Sequence, residues 1–189
     1  GDGCRIGGVR LRFAGRAAGR GIVGWTLRGA ASAQLDGLPT TVADGDGAPA
    51  AAAVHPNGVV AIDHVVVITP ALERTVAALR AAGLDLRRIR EQPTPAGAPR
   101  QAFFRLGAEL VEVVQEPPEA VARGGGPDRP AFFWGLALRV DNLRAAVARL
   151  GPARVGAVRP AVQPGREIAT LRRGAGLAVP VALMTPPPE

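Results

Sequence analysis

The chain has 189 residues, of which 47% are hydrophobic and 21% charged, as is typical of a globular protein with its own core. All 23 basic residues are arginine and give a formal net charge of +7, but they do not gather into one block as a nucleic-acid-binding arm would. A general bias towards Arg, Ala, Gly and Pro explains this charge, and we predict no nucleic-acid partner. The single cysteine, Cys4, excludes an intramolecular disulfide, and no apolar run could span a bilayer. We therefore predict a cytoplasmic protein with no membrane partner.

The first part of the chain, residues 1–58, is predicted to be an N-terminal extension of short strands and loop. Alternation of apolar and basic residues over 8–13 indicates a half-buried strand, and 22–27 is a second candidate. We expect these two strands to form a hairpin. Residues 30–53 are rich in Ala, Gly, Asp and Pro with little periodicity, which is typical of a loop or linker.

The central feature of the sequence is a buried strand over 61–68 that contains one histidine, His64. Residues 55–58, His-Pro-Asn-Gly, predict a tight turn before it. After it, Thr69 and Pro70 have the residue types of a helix N-cap and first turn, and the helix buries Leu72, Val76 and Leu79 on one face. Further strands are predicted over 84–90, 101–106 and 109–115.

The second half repeats this order after a Gly- and Pro-rich linker at 118–130. A strand is predicted over 132–140, a helix capped by Asp141 with Leu143, Val147 and Leu150 on its buried face, and strands within 155–161, 167–172 and 177–184. The predicted modules are therefore residues 59–117 and 131–189, each with the order βαβββ.

Alignment of the two halves shows that two polar positions of the first half are absent from the second. The helix positions differ by 71 residues, and the same shift places Gly135 opposite His64. The ends of the halves align at a shift of 70, which places Ala182 opposite Glu112. These small residues are expected to leave room where larger side chains would stand.

The tandem modules resemble the vicinal oxygen chelate superfamily, the group of glyoxalases, bleomycin-resistance proteins and extradiol dioxygenases. The segments that carry the resemblance are 62–66 (IDHVV), 105–113 (RLGAELVEV), 138–143 (LRVDNL) and 181–186 (VALMTP). The resemblance implies an α+β fold in which tandem βαβββ modules form a cup-shaped mixed sheet. It also implies one divalent metal ion, Zn, Fe or Mn, held by the first and last strands of each module. His64 and Glu112 match the family's ligand positions, whereas Gly135 and Ala182 depart from them.

The candidate catalytic residues are Glu112 and His64, which are also the candidate metal ligands if a metal is present. Two protein ligands hold a divalent ion weakly, and no spacing singles out His55 or Glu167 as a third. A carboxylate in the apolar run 110–114 must be paired, protonated or in contact with a water-filled cavity. Burial of an unpaired carboxylate costs on the order of several kcal/mol. Candidate arginine partners for Glu112 are Arg139, Arg105, Arg166 and Arg172.

The candidate substrate-binding residues are Trp134, Arg139 and Phe103. Arg139 shares strand parity with Gly135, and a guanidinium holds a carboxylate or phosphate well. Aromatic side chains at strand ends line pockets, although they are more often plain core.

Two functions remain open from the sequence. The first is a glyoxalase-like lyase, isomerase or dioxygenase-like enzyme that binds and transforms a small oxygenated metabolite, anionic or neutral, in the cup. The second is a metal-free small-molecule binding or resistance protein without catalysis. Either is expected to act as a monomer or a homodimer on a small-molecule ligand.

Overall fold

The computed structural model describes residues 3–44, 55–93, 97 and 100–188. The chain divides into two compact units. Unit 1 consists of Gly1–Gly21, Pro49–His64 and Gly135–Glu189, and unit 2 of Ile22–Ala48 and Val65–Trp134. One long strand, β5 (Val59–Thr69), runs from unit 1 into unit 2 after His64.

The predicted βαβββ order is confirmed in both halves of the chain. The first repeat is β5, α1 (Leu72–Ala81), β6 (Asp85–Arg90), β7 (Gln101–Leu106) and β8 (Glu109–Gln115). The second is β9 (Phe132–Val140), α3 (Leu143–Leu150), β10 (Arg159–Pro160), β11 (Glu167–Thr170) and β12 (Val181–Met184). A short helix, α2 (Pro118–Arg123), lies in the predicted linker. The chain therefore has an α+β fold of the predicted kind.

The sheet of unit 1 has the strand order β10-β11-β12-β9, with β9 beside the first part of β5. The β12–β9 pair is parallel and the β10–β11 and β11–β12 pairs are antiparallel, so the sheet is mixed. Helix α3 is capped by Asn142, whose Oδ1 accepts from the Ala145 backbone N at 2.9 Å. The cap is thus one residue later than predicted. The helix buries Leu143 and Ala146 and packs near β11.

The sheet of unit 2 has the order β5-β8-β7-β6, and α1 packs on one of its faces. As predicted, α1 buries Leu72, Val76 and Leu79, which join Phe104 and Val111 in one apolar core. Thr69 is the last residue of β5 rather than the N-cap, because the helix begins at Leu72. The other face of this sheet carries both polar and apolar side chains, among them Gln101, Phe103 and Glu112.

The N-terminal extension differs from its prediction. Strand β2 (Val9–Arg12) pairs with β1 (Gly3–Ile6), and β3 (Trp25–Arg28) pairs in parallel with β4 (Thr40–Ala43), so the predicted hairpin is wrong. The two predicted strands do not pair with each other as the strands of an antiparallel hairpin do, because β2 pairs with β1 and β3 pairs with β4. The predicted turn at 55–58 is confirmed by a hydrogen bond from the Gly58 N to the His55 O at 2.9 Å.

The segment predicted as a linker is partly core in unit 2. Leu35 and Leu38 are almost fully buried against α1 and its sheet. Asp36 then binds the helix, because its Oδ1 accepts from the Arg74 Nε at 2.7 Å and its Oδ2 from the Thr75 Oγ1 at 2.5 Å. Residues 45–53 of the predicted linker lie outside the described residues.

None of the helices in the described ranges has the length and apolarity needed to cross a membrane.

Candidate functional site

His64 and its neighbour Asp63 form a buried pair at the end of the unit 1 part of β5. Both are almost fully buried, with 8% and 7% of their surfaces exposed. The His64 Nδ1 lies 2.9 Å from the Asp63 Oδ2. Because an ionised carboxylate can only accept a hydrogen bond, Nδ1 carries a proton and donates it. The ring is thereby oriented by its own strand neighbour, and in the neutral ring Nε2 is the basic nitrogen.

Arg166 holds the other side of Asp63, also within unit 1. Its Nη2 lies 2.5 Å from the Asp63 Oδ1 and its Nη1 lies 3.1 Å from Oδ2, which is a bidentate pair. The same guanidinium donates to the Thr185 carbonyl from Nε at 3.0 Å and from Nη2 at 2.6 Å. The Thr185 carbonyl after β12 therefore positions Arg166, and Arg166 in turn positions the Asp63 carboxylate.

The charge state of Asp63 follows from these contacts. Burial alone would raise the pKa of Asp63, but the hydrogen bonds from His64 and Arg166 and the charge of the guanidinium lower it from 3.8 to about 2. Asp63 is thus an anion at neutral pH. An ionised Asp63 both keeps the His64 tautomer and stabilises an imidazolium should His64 take up a proton.

Glu112 lies on β8 of unit 2, on the sheet face opposite to α1. Its strand neighbours Val111 and Val113 are fully buried in the core on the helix side, whereas Glu112 is half-buried. The Gln101 Nε2 donates to its Oε1, and the Gln101 Oε1 accepts from the Arg90 Nη1 at 3.4 Å. Glu112 is therefore held in unit 2 by a side-chain amide. The predicted arginine partner Arg166 instead binds Asp63.

Phe103 lies directly opposite Glu112 in the β7–β8 register and is buried. The Arg88 guanidinium of β6 stacks over its ring, with Cζ 4.8 Å from the ring centroid. The structure thus brings Phe103 and Glu112 onto one face of the unit 2 sheet. Their predicted roles in substrate binding and catalysis stay predictions.

The other two predicted substrate-binding residues lie on β9. Trp134, in unit 2, has 46% of its surface exposed, and Arg139, in unit 1, is half-buried opposite Met184 in the β12–β9 register. Their roles also stay predictions. The aromatic contact that the structure does show near here joins Phe133 to Trp25, with ring centroids 4.9 Å apart.

The expectation that Gly135 leaves room for a ligand is wrong. A Cβ placed on Gly135 would lie 2.6 Å from the Pro180 carbonyl O and 3.2 Å from the Pro180 Cβ. The Leu136 N donates to the same carbonyl at 3.0 Å, which fixes the close approach. The glycine is required by the packing of β9 against the residue before β12. The second repeat therefore has no space for a histidine at the position that corresponds to His64.

We expect the Gly135→Ala substitution to lower the free energy of unfolding by about 1–3 kcal/mol, because the new methyl group meets backbone that cannot rotate away. Gly156→Ala is the matched control in unit 1, since its Cβ would lie 3.5 Å from the nearest atom, the Thr170 O, which is ordinary contact. Urea denaturation of both variants measures the difference. Equal stability of the two variants would contradict the close approach.

The described residues do not supply a full set of metal ligands. Within these ranges, no group of three or more His, Cys, Asp or Glu side chains is arranged to hold a metal ion. The candidate third ligands are engaged elsewhere: the His55 Nε2 lies 2.6 Å from the Arg5 O, and the Glu167 Oε1 accepts from the Arg144 Nη2 at 2.6 Å. A carboxylate on the far nitrogen of His64 suits a ligating histidine, but one such residue is not a site.

Sequence reasoning missed the importance of Asp63, Gln101 and Arg88. A signal was present for Asp63, since a carboxylate in an apolar strand needs a partner as much as Glu112 does. For Gln101 and Arg88 the signal lies in the strand register, which the sequence does not show.

Solved structures of similar fold include two methylmalonyl-CoA epimerases. The enzyme from Mycobacterium tuberculosis is 21% identical, covers 72% of this chain and 94% of its own, and has a TM-score of 0.58. A variant of the Streptomyces coelicolor enzyme, in complex with 2-nitronate-propionyl-CoA, is 19% identical, covers 67% and 94%, and has a TM-score of 0.53. A hypothetical protein from Bacillus halodurans is 16% identical, covers 68% and 95%, and has a TM-score of 0.53. These chains have the vicinal oxygen chelate fold, and the likeness shows that the present chain shares it.

No protein-family model and no curated protein matches the chain.

Proposed function

We propose that this protein is an acid–base enzyme that moves a proton on the carbon next to a carbonyl group of a small acyl compound. The two candidates for its proton-transferring group are Glu112, in unit 2, and His64, in unit 1. The substrate class is an acyl thioester that also carries an anionic group. The reaction class is isomerisation by proton removal and return, which needs no change of oxidation state.

The observation that carries this proposal is the buried Asp63–Arg166 pair behind His64. A histidine in an apolar strand is usually a core residue with one nitrogen satisfied. Here, however, a charged carboxylate, itself fixed by a bidentate arginine, sets the tautomer. The carboxylate thereby holds the ring in one orientation with its proton on Nδ1. A histidine positioned in this way is suited to act as a general base.

Glu112 adds a second group of the right chemistry in unit 2. Its Oε1 is held by the Gln101 amide, so the carboxylate is oriented rather than free to rotate. It is half-buried on the sheet face opposite to α1, which leaves part of its surface accessible to a ligand. An oriented, accessible carboxylate is suited to take a proton from carbon.

The solved structures of similar fold support the substrate class. Several of them carry the name methylmalonyl-CoA epimerase, and one of these holds methylmalonyl-CoA itself. Epimerisation at a carbon between two carbonyl groups requires removal and return of its proton. Identity of about one fifth leaves the acyl group of this chain's substrate open.

Proton exchange in D₂O tests the proposal. The protein is mixed with methylmalonyl-CoA, and with propionyl-CoA as a thioester without the second carboxyl group. Loss of the C–H signal is then followed by NMR, with and without EDTA. We expect exchange well above that of a protein-free sample, faster for methylmalonyl-CoA and unchanged by EDTA. Exchange at the protein-free rate for both thioesters would contradict the proposal.

The second candidate is a binding protein without catalysis, and the packing of Gly135 favours it. The position that corresponds to His64 in the second repeat has no space for a side chain, and the position that corresponds to Glu112 is Ala182. Tight binding of a thioester with no proton exchange would support this candidate over the enzyme.

A further inference from the structure

We infer that Arg88 and Arg90, on edge strand β6 of unit 2, form the subsite for the anionic group of the ligand. This inference rests on the proposed function for its ligand, and it adds a carboxylate- or phosphate-binding site that the sequence did not indicate. The proposed subsite lies on the face of the unit 2 sheet that carries Glu112.

The strand register places both arginines on the same face as Glu112. Arg88 lies opposite Phe103 and Arg90 opposite Gln101 in the β6–β7 pair, and Phe103 in turn lies opposite Glu112 in the β7–β8 pair. Directly opposed residues of antiparallel strands have their side chains on one face. The register of β6 shifts between Leu86 and Arg88, where Arg87 has no opposite residue. This bulge determines that Arg88 and Arg90 face the same side as Phe103 and Gln101.

Side-chain contacts hold the two guanidinium groups over the sheet. Arg88 stacks on the Phe103 ring at 4.8 Å, and the Arg90 Nη1 donates to the Gln101 Oε1 at 3.4 Å. The ring attracts the guanidinium through a cation–π interaction, and the N–H groups of a guanidinium can pair with the two oxygens of a carboxylate or phosphate. The arginines are thus partly ordered before any ligand binds.

The acidic side chains nearest to these arginines in sequence are bound by other arginines. Glu91 accepts from the Arg100 Nε at 2.7 Å and the Arg100 Nη2 at 3.0 Å. Asp85 accepts from the Arg87 Nη1 at 3.1 Å. Each of these carboxylates is therefore paired with a different arginine, although Glu91 also lines the cleft beside Arg88 and Arg90. Strand β6 itself carries three arginines and one aspartate, and this charge favours an incoming anion.

There is space for such a group beside the two arginines. An open cleft of about 260 Å³ is lined by Arg88, Ile89, Arg90, Glu91 and Gln92. A water molecule occupies about 30 Å³ in the liquid, so the cleft can take an oxyanion with some of its solvation.

The sheet geometry also limits the ligand. Strand β7 separates β6 from β8, and neighbouring strands lie about 4.8 Å apart, so the backbones of the arginines and of Glu112 are roughly 10 Å apart. The ligand is then a molecule whose anionic group lies within about that distance of the carbon that loses its proton. A short dicarboxylic acyl group or a phosphorylated carbonyl compound fits this description.

Anion titration of matched variants tests the subsite. Malonate and inorganic phosphate are titrated by calorimetry into the wild-type protein and into Arg88→Gln, Arg90→Gln and Arg87→Gln. Each variant loses the same charge from the same strand, and melting curves check that each is folded. We expect the Kd to rise about tenfold or more in Arg88→Gln and Arg90→Gln, and to stay within about twofold in Arg87→Gln. The tighter of the two anions indicates whether the natural group is a carboxylate or a phosphate.

Three results would overturn the subsite: no binding of either anion by the wild-type protein, unchanged anion affinity in Arg88→Gln and Arg90→Gln, or equal weakening in all three variants, which would reflect net charge alone. Because the titration needs no turnover, its result is separate from the proton-exchange assay. Proton exchange with unchanged anion affinity in Arg88→Gln and Arg90→Gln removes the subsite but keeps the enzyme. Anion affinity lost in those variants with no exchange keeps the subsite and removes the enzyme.

Discussion

Replacing Arg166 by methionine is expected to lower the free energy of unfolding by about 3–5 kcal/mol at neutral pH. The substitution keeps most of the side chain's apolar length but leaves the Asp63 carboxylate buried without its bidentate partner. Breaking a buried pair from one side is costly because the remaining charge stays out of water. It also removes the donors to the Thr185 carbonyl. Urea denaturation at pH 7 with EDTA present measures the loss.

Arg144→Met is the matched control for this prediction. Arg144 also pairs with a carboxylate, that of Glu167, at 2.6 Å, but 73% of its side chain is exposed. Exposed pairs contribute about 0–1 kcal/mol, so the control is expected to change stability by no more than that. A loss in Arg166→Met as small as in the control would mean that Asp63 is solvated.

The pH dependence gives a second measure of the same pair. The pKa of Asp63 is lowered from 3.8 to about 2 in the folded protein, so its contribution to stability is present above about pH 4 and is lost as the pH falls towards 2. That contribution amounts to about 2 kcal/mol. In Arg166→Met the guanidinium no longer offsets the effect of burial, so the pKa of Asp63 is higher than in the wild type. The stability difference between wild type and Arg166→Met is therefore expected to shrink between pH 7 and pH 3.

The elements of both repeats could be predicted from the sequence because their signals are local. The bounds of β7, β8 and β9 agree with the predicted ranges, since short apolar runs with Gly or Pro residues near their ends mark them. The buried face of α1 followed from helical spacing. The comparison of the repeats also singled out His64 and Glu112 without any structural information, because a position that is polar in one copy and small in the other is visible in one sequence.

What could not be predicted depends on contacts between distant residues. Arg166 is 103 residues from Asp63, and no periodicity links them. The burial of Leu35 in a segment without strand or helix pattern comes from its packing on α1. The close approach at Gly135 depends on where Pro180 lies, and Gly is permissive enough that its presence in a strand has several explanations. The register that places Arg88 and Glu112 on one face likewise follows from an irregularity in β6.

Glu112→Gln is expected to reduce proton exchange of the thioester by about one hundred- to ten-thousand-fold, the range that a positioned general base contributes. Glutamine keeps the size of the side chain and an oxygen that can accept from Gln101, so the fold of β8 should change little. The lost property is the ability to take a proton. The rate of C–H signal loss in D₂O measures it, and thioester affinity is expected to stay within about tenfold of the wild type.

Glu109→Gln provides the control on the same strand, because Glu109 loses the same charge but has the strand parity of the buried residues Val111 and Val113. Its exchange rate is expected to stay within about twofold of the wild type. If Glu112→Gln and Glu109→Gln exchange equally fast, Glu112 is not the base. His64→Gln then decides between the remaining predicted group and a purely binding protein, since Asp63 and Arg166 have no catalytic use once the imidazole is gone.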